Sequence, residues 1–234
     1  MIKNTFSSVC ATFLILALFP HLLLAATAPA GKVILGVIDT SSKEMFDKDV
    51  LPVLSNELKN CKNCEISNMT PYDENGQFAE AKLKDALVPK EGAPQVLFLG
   101  WNARARETNQ DVQAAITTLR EQGTVIVGTA GAGNSKEYAL MLNRTVLGKI
   151  DNIIILGSLT EKEKLIDHSN YGPEMLTALR PNRNISTPNA NILVFTARLV
   201  QAYDRKGNID WVNVLKNKRV KLKKIWPDDR DLLN

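Results

Sequence analysis

Four short runs of aliphatic residues, 32–38, 95–100, 124–127 and 152–157, are apolar at nearly every position and rich in Val and Ile. A strand in a sheet with one wet face would alternate polar and apolar residues. A strand apolar throughout needs cover on both faces. Between these runs the spacing changes to that of amphipathic helices. Over 45–58 the apolar set is Met45, Phe46, Val50, Leu51, Val53, Leu54 and Leu58, with Pro52 as a kink or break. Further helices are predicted over 78–87, over 109–122 with Gly123 ending it, and over 190–203. A short strand is expected at 65–69, ahead of a turn-rich loop holding Pro71, Asp73, Asn75 and Gly76. Strands alternating with helices predict an α/β fold, a doubly wound, largely parallel sheet with helices on both faces.

The first residues stand apart from that pattern. Lys3 precedes an almost unbroken apolar stretch over 9–24, and small residues follow at Ala25, Ala26 and Ala28. This is the three-part pattern of a secretory signal peptide, expected over 1–26 with cleavage somewhere in 25–28. The expectation is a secreted protein, or a periplasmic one in a bacterium, with no stable membrane anchor after cleavage. The rest, 27–234, is expected to form one domain with a basic tail from about 205. At 234 residues, 44% hydrophobic and 23% charged, the chain can bury one good-sized core. Loss of Lys3 takes the formal net charge from +4 to +3, too mild to argue for nucleic acid.

Signal removal also takes Cys10 and leaves Cys61 and Cys64. In an oxidising compartment a local disulfide is the expected state, with free thiols or redox chemistry as alternatives. A thioredoxin-like role would need the pair to open a helix after a strand, whereas here it closes a helix and precedes a strand. No His, Cys or carboxylate cluster has metal-ligand spacing, so no metal and no cofactor are expected. Asn-x-Ser/Thr sequons begin at Asn68, Asn143 and Asn184. Residues 216–224 carry six positive charges in nine. The alternation over 219–223 suggests a solvated edge strand, or else a patch for acidic partners, with Trp211 and Trp226 packing the tail back.

Functional groups of such a sheet gather at the carboxyl ends of its strands. The first strand delivers Asp39. The third opens into a glycine-rich turn, 128–134, whose N–H groups could hold an anion. Six segments in order resemble the subtilisin-like serine proteases. They are Gly-Val-Ile-Asp-Thr (36–40), Val-Leu-Phe-Leu-Gly-Trp (96–101), the strand and turn over 123–132, the stretch 152–159 with Asp-His-Ser-Asn-Tyr-Gly-Pro-Glu (167–174), Arg180-Pro181, and Asn-Ile-Ser-Thr-Pro (184–188) leading into a helix. The resemblance covers 33–203.

That resemblance implies a triad aspartate at Asp39, an oxyanion position at Ala132 and a nucleophile position at Asn184, four residues before Pro188. Two of these three are substituted. An amide side chain cannot form an acyl-enzyme, and alanine offers no side-chain donor to an oxyanion. The family's histidine belongs between the first two long strands, and 43–94 contains none. Without imidazole there is no general base. His168, Ser186 and Asn134 are the substitutes available. Three functions stay open: a catalytically incomplete subtilase-like domain that binds a peptide or protein in the former substrate groove, a serine-type hydrolase with relocated groups, and an unrelated secreted α/β binding domain.

Overall fold

The structure is a computed structural model and describes residues 31–88, 92–131, 140–166, 169–181 and 189–222, with side chains through 219. Six parallel strands form one sheet in the order β2-β1-β3-β4-β5-β6. They are β1 Val33–Ile38, β2 Cys64–Asn68, β3 Val96–Leu99, β4 Val125–Thr129, β5 Ile154–Ser158 and β6 Met175–Leu179. The helices are α1 Lys43–Met45, α2 Leu51–Leu58, α3 Leu83–Ala86, α4 Gln110–Glu121, α5 Ala190–Lys206 and α6 Trp211–Leu222.

Along β3 to β5, successive side chains enter opposite cores. Val96, Phe98, Val125, Val127, Ile154 and Leu156 face one layer; Leu97, Leu99, Ile126 and Ile155 face the other. Each face is therefore apolar at a period of two, as buried parallel strands require. The first layer holds α2, α5 and α6; the second holds α3 and α4. The right-handed crossover rule explains why α2 lies on one face and α3 and α4 on the other. From β1 the chain steps one way to β2, then returns past β1 to β3 and continues outward. Reversing direction at constant hand moves the connecting helices to the other face.

Pro52 leaves a local mark. It has no N–H, and its ring would strike the carbonyl four residues back. The chain loosens into a π turn, Phe46–Val50, where the Leu51 N–H reaches Phe46 O, and α2 then runs on. Helix α5 is the central support. Twelve of its 17 residues are buried, and it packs on β1, β3, β5 and α2. A helix apolar nearly all round needs such enclosure.

Three expectations change. The helix over 78–87 shortens to a 3₁₀ turn, Glu80–Lys82, and the single turn of α3. Phe78 bridges to Tyr72, and the Ala79 N–H bonds to Pro71 O, which holds this stretch extended. The edge strand expected over 219–223 gives way to helix in its described part, because 211–222 is helical. Asp210 accepts from the Asn213 N–H at 3.0 Å, and Trp211, Val212 and Leu215 bury themselves at helical spacing. Lys, Arg and Leu then propagate the helix readily. Residues 205–222 of the basic segment thus belong to the domain through α6. Strand β6 was not foreseen. Trp211 packs as expected at 2% exposure, while Trp226 lies outside the described residues.

Cys61 and Cys64 form a disulfide at the end where the strands begin, Cys64 being paired with Val33. Among the described residues no helix is long and apolar enough to cross a membrane.

Candidate functional site

The chain reverses its direction of travel across the sheet between β1 and β3, and a crevice forms outside their carboxyl ends. Here the crevice is a cleft of about 280 Å³, lined by residues that include Thr40, Gly100, Asn102, Gly131, Ser158 and Asn189. Among the described residues its lining carries no charged side chain.

Asp39 leaves β1 at this point and is 4% exposed. Its backbone N–H donates to Thr70 Oγ1 at 3.0 Å. One carboxylate oxygen accepts from Ser41 Oγ at 2.5 Å and from the Ser41 N–H at 3.4 Å. The other accepts from Asn189 Nδ2 at 3.4 Å. A side chain bonded to the backbone two residues on is an Asx turn, here extended by a tie to the N-cap of α5. Gly100 makes room for the carboxylate. A β-carbon there would stand 3.0 Å from Asp39 Oδ1 and 3.2 Å from Ile38 O.

The glycine turn is braced by amides. Asn102 Nδ2 donates to Thr129 O and Ala130 O, and Asn102 Oδ1 accepts from the Leu147 N–H. Asn170 Nδ2 donates to Ala130 O at 2.9 Å, and its backbone N–H to Gly131 O. Gly131 adopts φ 74°, a conformation glycine takes without penalty. Its own N–H is spent on Thr129 Oγ1 at 3.1 Å, so this donor is not free for an anion. At the start of α5, Asn191 accepts from Ser158 Oγ and donates to Leu179 O and Arg180 O, which pins the helix to β5 and β6.

Of the positions singled out in the sequence, Asp39, Cys61 and Cys64 are described. Ala132, Asn134, His168, Asn184 and Ser186 lie outside the described residues. Gly131 and Asn189, described residues close to positions 132 and 184 in the chain, line the same cleft beside Thr40. Asn102, Asn170, Asn189, Asn191 and Thr70 were not anticipated. The one available signal was the placing of Asn189 and Asn191 at the mouth of the last helix, where amides commonly cap.

Solved structures of similar shape have a common character. A cold-adapted subtilisin-like serine proteinase aligns over 82% of this chain and 84% of its own, with TM-score 0.55 and 14% identity. The prenylagaramide maturation protease PagA aligns over 89% and 94%, with TM-score 0.57 and 14% identity. The self-cleaved protease domain of PatA aligns over 87% and 96%, with TM-score 0.59 and 10% identity. The chain has a subtilisin-like fold. No protein-family model matches the sequence, and no curated protein matches it. At 10–14% identity these likenesses speak for the fold alone.

In this subtilase-like fold the aspartate at the end of β1 sits against the mouth of the last core helix. Its carboxylate is engaged by a hydroxyl and an amide.

Proposed function

We propose that this chain is an exported, subtilase-like domain that has lost peptidase chemistry and acts by binding a peptide or protein segment in the strand-end cleft. The observation that carries the reading is the occupation of Asp39. Its two oxygens hold Ser41 and Asn189 in place, which is a structural use of a carboxylate. In a serine protease that carboxylate orients an imidazole. Only two histidines occur in the sequence, and one of them, His21, falls in the expected signal. Asn184 at the nucleophile position and Ala132 at the oxyanion position support the same conclusion. The Cys61–Cys64 disulfide supports an oxidising compartment.

Binding draws its support from the cleft itself. Among the described residues its lining is hydroxyls, amides, glycine backbone and the apolar Trp101 and Ile166, which suits the main chain of an extended segment more than an ionic ligand. The test is a fluorophosphonate probe and a peptidase assay on the purified mature protein, with an immobilised peptide library as the binding arm. The expected result is no labelling, no turnover, and retention of extended peptides that is lost in Thr40→Trp. Turnover abolished by His168→Ala would instead establish a hydrolase with relocated groups.

A further inference from the structure

Cys61 Sγ lies 3.6 Å from Asp204 Oδ2, across 143 residues of chain. A disulfide sulfur carries no proton, so this contact is not a hydrogen bond. The other Asp204 oxygen accepts from Asn63 Nδ2 at 3.1 Å, which holds the carboxylate facing the sulfurs. One ligand atom from each of Cys61, Cys64 and Asp204 falls within 4.8 Å of the other two, and all three residues are half-buried. They lie at the strand-start end, away from the cleft.

We infer that, once the disulfide is reduced, Cys61, Cys64 and Asp204 form a site for a thiophilic divalent cation of the zinc type. Four-coordinate zinc takes thiolate at about 2.3 Å and carboxylate oxygen at about 2.1 Å. At a tetrahedral angle those lengths place sulfur and oxygen about 3.6 Å apart, so Asp204 Oδ2, 3.6 Å from Cys61 Sγ in the disulfide form, is already within ligand range when the two sulfurs separate on reduction. Two ligands three apart in sequence also match the C-x₂-C half of known zinc sites. Asn63 supplies the outer hydrogen bond that such carboxylate ligands require, and water completes the fourth position. Metal and disulfide exclude each other. A dithiol delivers two electrons and two protons to the Cys61–Cys64 bond and itself closes to a disulfide. The cation then displaces the two thiol protons, and both sulfurs bind as thiolates.

The test uses the full mature chain, reduced with a dithiol, desalted without oxygen and titrated with Cd²⁺ in place of Zn²⁺. One equivalent should bind, with a sulfur-to-cadmium charge-transfer band that the oxidised chain does not show. The cadmium-113 resonance should fall in the range of mixed sulfur–oxygen ligation, which requires no variant. Asp204→Asn should weaken binding at least about tenfold while leaving the far-ultraviolet circular dichroism unchanged. The inference is overturned if the reduced chain gives no charge-transfer band. It is equally overturned by sulfur-only ligation, or by an Asp204→Asn affinity equal to that of the parent.

Discussion

Asn189 Nδ2 donates to Asp39 Oδ1 at 3.4 Å, joining residues 150 apart in the chain. The bond ties the end of β1 to the start of α5, two segments that frame the cleft. It also makes Asp39 part of the scaffold, and that role can be measured.

Asp39→Ala leaves the Ser41 hydroxyl, the Ser41 N–H and the Asn189 amide without their shared acceptor. These donors are half-buried and water partly replaces the acceptor, so the loss falls toward the lower end of about 1–3 kcal/mol. Urea unfolding should show a loss in that range.

Phe195 is fully buried in the layer between the sheet and α2. Phe195→Ala should cost about 3–5 kcal/mol, since it removes an aromatic ring and leaves a cavity. Val214, 39% exposed on α6, should tolerate alanine within about 0.5 kcal/mol. Chemical denaturation of both variants checks the contrast.

A β-carbon on Gly148 would stand 1.8 Å from the Leu142 carbonyl oxygen. Backbone cannot swing aside as a side chain can. Gly148→Ala should therefore cost about 3 kcal/mol, at the upper end of overpacking penalties, and thermal unfolding reads it directly.

Burial raises the Tyr203 hydroxyl above its ordinary value. The unfolded chain then loses this proton at lower pH than the folded one. The contribution is fully present below the unfolded value near 10 and is lost as pH rises toward the folded value. Between pH 9 and about 11, the parent should lose more stability than Tyr203→Phe, as urea midpoints at the two pH values would show.

The Cys61–Cys64 link closes a very short loop and so restrains the unfolded chain weakly. Chain-entropy reasoning limits its contribution to about 2 kcal/mol. The Cys61→Ser, Cys64→Ser double variant should remain folded, with a fall in unfolding free energy no larger than that.

Strands β1, β3, β4 and β5 were legible because each lies in an almost unbroken buried apolar run, with Val and Ile prominent in β1, β4 and β5. Strand β6, Met-Leu-Thr-Ala-Leu, has one β-branched residue and two partly exposed positions, so local preference says little about it. Helix α6 hides behind its cations: through residue 219 three buried residues anchor it, while Asn213, Val214, Lys216 and Asn217 are exposed. In the site, Asp39 was visible from its place after a strand. Its partner Asn189 and the Cys61 neighbour Asp204 were not. Pairs so far apart in sequence are joined by topology, and no local spacing encodes them.

The enclosure of α5 has a consequence for how the molecule is made. One face of the sheet under β1, β3 and β5 is covered by the most carboxyl-terminal helix but one. A ribosome-bound chain, however many strands it has already emitted, carries that bare apolar surface until residue 206 has emerged. Closure of this face must therefore wait for α5 and is slow, being dominated by distant contacts. For the export proposed above the delay is useful, because a chain that cannot close early stays threadable.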